Sequence, residues 1–321
     1  AWRVSMKIVY VTGCLGFIGS HFVRKCLKMG WYVYGVDKIT YAANESLLSE
    51  FQTYKNFKFE KQDIKNVTEI CDCDYIVNFA AESHVGNSII NSDSFIDTNV
   101  AGTKNLLDVL KNKPSNCTQR PVFLHISTDE VYGDIAEGEH TESDILKPSN
   151  PYSAAKACSD MLIHAWARTY GIEYVIVRPT NNYGKNQHPE KLIPLIIKNL
   201  MRGKKIRLHN MGTPIRNWLH AEDTSEAVLT LIKHSAKNEI YNIAGGFEQT
   251  NSETARKVIK AYYGTDDNWE QYIDYSYKRV GQDVRYALND DKIRNLGWQP
   301  RKVFDDEIKS IVDHYKEDFR W

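Results

Sequence analysis

The sequence lacks the features that would place it at a glance. Its six cysteines form no CxxC pair and no histidines stand at zinc spacing, so neither a structural zinc site nor any other metal is expected. Cys71 and Cys73 are too close for an ordinary disulfide, and the thiols, Cys117 among them, read as reduced ones. Charge of one sign is not in excess: Lys+Arg and Asp+Glu both total 41. That argues against a general polyanion binder, so no nucleic-acid partner is expected, and a local basic pocket for a diphosphate stays open. No apolar run approaches membrane-span length; the first, Ile8 to Val11, is cut by Gly13 and Gly16. The expectation is therefore no leader peptide, no membrane partner and a cytoplasmic location. Residues 1–5 precede Met6 and are left out of the fold reading. Repeats, low-complexity tracts and long charge runs are missing too. A hydrophobic content of 42% excludes wholesale disorder.

What is present begins with a β-branched run, Lys7 to Val11, leading into Gly13-Cys-Leu-Gly16-Phe-Ile-Gly19 and an amphipathic helix, Ser20 to Met29. Trp31 to Val36 reads as a second strand and ends at Asp37. Strand, glycine turn, helix, strand, acid is a dinucleotide-binding layout. The glycines permit a tight turn and a close approach of backbone to pyrophosphate, with the helix N-terminus facing the anion. A carboxylate at Asp37 accepts both ribose hydroxyls and repels a 2′-phosphate, which favours NAD over NADP.

Further strands follow at Phe57 to Lys61, Tyr75 to Phe79, Val122 to Ile126, Glu173 to Val177 and Ile240 to Ala244. Helices are expected over Thr98 to Leu110, Ser153 to Tyr170, Leu192 to Met201, Asn217 to His234, Ser252 to Tyr262 and Asp305 to Tyr315. Strands alternating with helices predict an α/β protein with a doubly wound parallel sheet of Rossmann type. Past residue 180 the pattern loosens. The expected division is an NAD-binding domain over 6–180, with 217–244 returning to it, and a smaller interleaved α/β substrate domain over 181–216 and 245–321.

Two stretches carry the chemistry. Ser127-Thr128-Asp129-Glu130-Val-Tyr-Gly133 follows the strand Val122 to Ile126, at the edge where open α/β sheets bind ligands. Tyr152-Ser-Ala-Ala-Lys156 puts a tyrosine and a lysine on one helix face. A tyrosine hydroxyl titrates near ~10; a nearby ammonium and an oxidised nicotinamide both favour its phenolate. Tyr152 then suits removal of a sugar hydroxyl proton while hydride leaves the same carbon, with Lys156 holding the nicotinamide ribose. Asp129 and Glu130 read either as solvated turn residues or as an acid–base pair. Oxidising a hexose at C4 makes the C5 proton acidic and lets the C6 hydroxyl leave as water. That needs a base and an acid, roles that two carboxylates in different surroundings can divide. Thr128 can donate to the C4 oxygen beside Tyr152. Asp63 reads as an adenine-side contact or a helix cap.

These residues resemble the extended short-chain dehydrogenase/reductase superfamily and, within it, the nucleotide-sugar 4,6-dehydratases, which act on dTDP- or UDP-glucose. The resemblance runs end to end. It rests on the glycine turn, Ala80-Ala81-Glu82-Ser83-His84, the Thr128-Asp129-Glu130 triplet, Tyr152-x-x-x-Lys156, Asn181-Asn182-Tyr-Gly184, Pro189-Glu-Lys-Leu-Ile-Pro194, Arg216-Asn-Trp and Arg285-Tyr-Ala. Related epimerases usually carry Ser-Ser or Ser-Ala at the triplet, and decarboxylases Thr-Ser-Glu. The resemblance implies Asp129 as the acid for the C6 hydroxyl and Glu130 as the C5 base. It implies adenine contacts at Asp63 and Ile64. Other cofactor contacts are implied at Phe17, Ile18, Lys38 and Thr40, and at Ala80, Ala81, Thr98 and Asn181. For the substrate it implies Ser83 and Asn182 near sugar and phosphates, and Lys191, Leu192, Arg207, His209, Arg216, Asn251 and Arg279 around the nucleoside diphosphate. A homodimer is implied through the helices Thr98 to Leu110 and Ser153 to Tyr170.

The chain departs from the thymidine-linked pattern at three places. His84-Val-Gly-Asn87-Ser88 replaces His-Val-Asp-Arg-Ser, Arg279-Val-Gly-Gln282 replaces Arg-Pro-Gly-His, and His209 stands at the base-stacking tyrosine. Asn87-Ser88 and His209 look more like the plant-type UDP-glucose enzymes. The expected function is dehydration of UDP-glucose or dTDP-glucose to the 4-keto-6-deoxy sugar. The alternatives are a 4-epimerase or decarboxylase of the same superfamily and, more remotely, a non-catalytic NAD-binding sensor or scaffold.

Overall fold

The computed structural model describes residues 5–81, 83, 85–113 and 120–321; Glu82, His84 and Cys117, named above, lie outside the described residues. The strands in chain order are β1 (Ile8–Thr12), β2 (Tyr32–Asp37), β3 (Phe57–Lys61), β4 (Tyr75–Asn78), β5 (Val122–Ile126) and β6 (Tyr174–Pro179). Then come β7 (Asn181–Tyr183), β8 (Ile206–Arg207), β9 (Ile215–His220), β10 (Glu239–Ile243), β11 (Glu248–Thr250) and β12 (Ile273–Asp274).

Among the described residues the main sheet has seven strands in the order β10-β6-β5-β4-β1-β2-β3. All pairings in it are parallel; Val9 of β1 lies opposite Val33 of β2 on one side and Tyr75 of β4 on the other. Helices cover both faces, as the near-continuous apolar strands require. Side chains alternate between the two layers. Val9, Val11, Leu124 and Val177 pack with Phe22 and Val228. Tyr10, Ile76, Phe123 and Ile176 pack with Leu106 and Ile163. The chain winds outward from β1 through β2 to β3 and then restarts at β4 on the other side of β1. That reversal opens a crevice at the C-terminal strand ends.

A second, smaller part rests on this edge. Its sheet is β11-β9-β7, beside the β12-β8 pair. The helices Leu192–Met201, Asn251–Tyr263 and Phe304–Glu317 share a core that includes Ile196, Val258 and Ile311.

Two elements differ from expectation. The segment expected as a helix over Asn217 to His234 begins as β9, and the helix is Ala221–Lys233. Its N-cap is His220, whose side chain accepts from the Glu222 N–H (3.1 Å), so no Ser, Thr, Asp or Asn marks the start. The helix expected from Thr98 opens as a π-helical stretch, Asp97–Gly102, before Thr103–Lys111. No helix among the described residues is long and apolar enough to cross a membrane.

Candidate active site

The crevice is a cleft of about 770 Å³, and every residue assigned above to catalysis, cofactor or substrate lines it. The cofactor side is built from the glycine turn. Gly13 has φ +65°, and a Cβ there would stand 2.8 Å from the Ala80 nitrogen. A Cβ at Gly19 would collide with the Gly13 carbonyl oxygen. With side chains thus barred, the N-terminus of the helix Phe17–Lys28 faces open space at Gly16, Phe17 and Ile18. Asp37 ends β2 buried, accepting from Leu15 N (3.0 Å) and Ile39 N (2.8 Å). Burial pushes its carboxyl up, against those two hydrogen bonds. Ile39 is a β-branched residue at φ +57°, backbone strain that stands beside the ribose acid. Asp63 is a cap: it accepts from Lys65 N (3.0 Å) at the turn Ile64–Asn66, and it also lines the cleft. Lys38 donates to Thr98 Oγ1 (3.3 Å). Thr40, Ala80, Ala81 and Asn181 complete that wall.

At the end of β5 the chain turns through Thr128, N-cap of the short helix Asp129–Tyr132. Thr128 Oγ1 accepts from Glu130 N (3.2 Å) and lies 3.1 Å from Asp129 Oδ1. Asp129 is buried, and burial with the charge of Glu130 pushes its carboxyl up to about 8. Glu130 is half-buried. It too is raised by burial, but Arg216 and Lys191 oppose the shift. Tyr152 and Lys156 project from the helix Pro151–Tyr170, whose N-cap Asn150 accepts from Ser153 N (2.9 Å).

The structure opposes one expectation. Burial, then the charges of Glu130 and Asp129, push the Tyr152 hydroxyl up, with a Thr128 hydrogen bond acting the other way. The Lys156 ammonium instead donates to the Ile126 carbonyl (2.6 Å).

On the substrate side, Lys191 Nζ donates to Ser83 O (2.5 Å), and burial lowers its tendency to hold a proton. Arg216 lies over the Tyr286 ring (5.0 Å). Asn182 is tied into the scaffold through Thr180 O (3.0 Å) and Thr224 Oγ1 (2.5 Å). Leu192, Arg207, His209 and Gln282 line the far end. Asn251 Oδ1 and Arg279 Nη2 are buried there without a hydrogen-bond partner among the described residues. Buried polar atoms left so in a cleft are suited to a ligand. Ser88 lies behind the site, its Oγ accepting from Tyr152 N (3.2 Å), and Asn87 is exposed.

Sequence reasoning gave no role to Tyr286, Asp283 or Glu190. The Tyr286 hydroxyl is within hydrogen-bond reach of Glu130 Oε1 (3.2 Å) and of Asp283 Oδ2, its one proton shared between the two carboxyl groups. Glu190 accepts from Tyr41 across the cleft mouth (3.0 Å). Arg285-Tyr-Ala and Pro189-Glu-Lys were visible as motifs, but nothing local says that a tyrosine 156 residues away reaches Glu130.

Comparison with known proteins agrees with this geometry. The family model for GDP-mannose 4,6 dehydratase matches residues 10–311. The chain is 40% identical to the low-salt glycan biosynthesis protein Agl12 of Haloferax volcanii, over 97% of this chain and 99% of that protein. It is 40% identical to a dTDP-glucose 4,6-dehydratase of Haemophilus influenzae, over 97% of this chain and 98% of that one. The crystal structure of DesIV, a dTDP-glucose 4,6-dehydratase of Streptomyces venezuelae with NAD bound, superposes with a TM-score of 0.89 at 38% identity, covering 98% of each chain. Fold and site define an extended short-chain dehydrogenase/reductase. Within that class, the chain belongs to the GDP-mannose 4,6 dehydratase family. It is an enzyme of the hydro-lyase type, and its glycine cradle and Asp37 fit NAD as its cofactor.

Proposed function

We propose that this enzyme converts a nucleoside-diphosphate-glucose, UDP-glucose or dTDP-glucose, to the 4-keto-6-deoxy sugar with loss of water. The observation that carries the reading is the environment of Asp129 and Glu130: two carboxylates beside Tyr152, one held protonated by burial, the other facing Arg216 and Lys191. The glycine turn and Asp37 would hold NAD, whose chemistry would be to take hydride from C4 and give it back at C6, and whose positive ring would favour the Tyr152 phenolate. Tyr152 takes the C4 hydroxyl proton. The Thr128 hydroxyl, which donates to Asp129 Oδ1 (3.1 Å), can turn its proton to the C4 oxygen once Asp129 carries its own. Glu130, steadied by the Tyr286 hydroxyl, removes the C5 proton and returns one to C5 when hydride reaches C6. Asp129 gives its proton to the C6 hydroxyl, which leaves as water. Lys191, Arg216, Asn251 and Arg279 hold the nucleoside diphosphate, the guanidinium forks suiting paired phosphate oxygens. His209 and Gln282 face the base.

We further infer that 6–180 with 221–244 form the cofactor-binding part. β9 belongs with β7 and β11, so the return begins after His220. We place a homodimer on the helix Pro151–Tyr170 and its neighbour Thr103–Lys111, beside which Ile96 and Met161 are exposed. Light scattering that finds a monomer sinks that dimer.

The test is incubation with each nucleotide sugar in turn. Loss of one water by mass, with no net NADH, supports the dehydratase. A mass-neutral product makes it an epimerase, and tight NAD binding without turnover a sensor.

A further inference from the structure

A line of buried polar side chains crosses the main sheet just beneath the site. Thr12, Asn78 and His125 alternate onto the same face as Tyr10, Ile76 and Phe123. Thr12 Oγ1 donates to Asn78 Oδ1 (2.5 Å), and Asn78 Nδ2 donates to His125 Nδ1 (3.1 Å). That leaves the histidine proton on Nε2. This N–H stands 3.8 Å from Asp160 Oδ1, and neither atom has a hydrogen-bond partner among the described residues. The other Asp160 oxygen accepts from Ser127 Oγ (3.0 Å) and Arg178 Nε (3.1 Å). Arg178 continues to the Tyr132 hydroxyl (2.8 Å), which donates to Asn242 (2.7 Å).

Asp160 lies one helical turn beyond Lys156 and takes no part in the chemistry above. The charged and titratable groups that face it are Lys156 and His164 from its own helix, His125 from β5 and Arg178 from β6. Burial, with the charges of Lys156 and Arg178, keeps His125 neutral. Burial pushes the Asp160 carboxyl up, and Arg178, the Ser127 hydrogen bond and Lys156 act against that shift, so one buried carboxyl group answers two buried cations. Arginine does not release its proton in a protein, whereas a buried lysine does so readily. Without Asp160, relief of the excess positive charge falls to Lys156. Lys156 is already pushed down to about 8 by burial, against which Asp160 acts.

We propose that Asp160 is a positioning residue for catalysis: it keeps Lys156 in its ammonium form and, through Ser127, holds the strand end that carries Thr128, Asp129 and Glu130. The proposal rests on the role given above to Tyr152 and on Lys156 holding the nicotinamide ribose as an ammonium.

The experiment reads C4 oxidation apart from water loss. In an Asp129→Asn background, exchange of the C5 proton with deuterated solvent is followed against pH. Adding Asp160→Asn should move the alkaline limb of that exchange down by about one pH unit or more. A merely structural role lowers the rate at every pH and leaves the limb in place, which overturns the proposal. If Asp160→Asn does not fold because Arg178 is orphaned, Asp160→Asn with Arg178→Gln removes both charges together; a shift in the same direction, smaller because the Arg178 charge is gone too, is expected, and no shift overturns the proposal. In the unaltered protein, carbon NMR of labelled aspartate should find Asp160 ionised at pH 7; a protonated Asp160 overturns the proposal whatever the variants do. If the protein without any of these changes exchanges no C5 proton at any pH, the dehydratase reading itself fails.

Discussion

Asp129 and Glu130 are sequence neighbours with different surroundings. Asp129 is buried and faces a like charge, so its carboxyl is pushed up to about 8. Glu130 reaches Arg216, Lys191 and the Tyr286 hydroxyl, which offset its burial. Three outcomes follow. Tyr152→Phe should abolish C4 oxidation, with a loss of ~10²–10⁴-fold or more in turnover. Glu130→Gln should permit that oxidation and suppress C5 exchange, and Asp129→Asn should slow water loss by ~10²–10⁴-fold while leaving exchange in place; mass spectrometry in deuterated water separates the two, and wild-type behaviour of both variants refutes the assignment. The pH dependence has a definite sign. Asp129 must carry a proton to act as an acid, and its raised value keeps that proton at neutral pH. Water loss should therefore fall as pH rises through about 8, measured as the ratio of product formation to C5 exchange. A flat ratio to pH 9.5 or so would contradict the direction of that shift.

The glycine turn between β1 and the helix Phe17–Lys28 does its work as a unit. Its backbone can approach a pyrophosphate because Gly13 turns with positive φ and Gly19 presses on Gly13. Gly19→Ala should lower stability by roughly 1–3 kcal/mol through overpacking and strip the protein of NAD. Thermal unfolding and the cofactor content of the purified protein check both effects; full NAD content with an unchanged Tm would refute the close contact. This element was legible in the sequence, since strand, glycine turn, helix and Asp37 follow each other within one local pattern. β9 was not: His220 is an unusual cap, and Asn217 to His220 become a strand only because β7 and β11 lie alongside.

Across the whole molecule, the last helix secures the loop that carries Glu190 and Lys191. The Tyr315 hydroxyl donates to Gln187 O (2.6 Å) and accepts from Gln187 N (2.7 Å), fully buried. Tyr315→Phe orphans both backbone groups and should cost about 1–3 kcal/mol. It should also raise KM for the nucleotide sugar more than it lowers kcat, because the loop binds rather than reacts. A variant with wild-type Tm and KM would show the tie to be idle.

The sequence alone was enough for the parallel sheet, the glycine turn and the one helix that carries both Tyr152 and Lys156. Each is written in short-range form, as an apolar run, a glycine spacing or a single helical turn. Folding decided what no spacing carries. It brought Tyr286 to Glu130 and Asp160 to Arg178. It left Asn251 Oδ1 and Arg279 Nη2 without a hydrogen-bond partner among the described residues and set two carboxylates against Tyr152 where an ammonium was expected. Those are contacts between distant segments, and their strength depends on burial, which the sheet and its covering helices create only together.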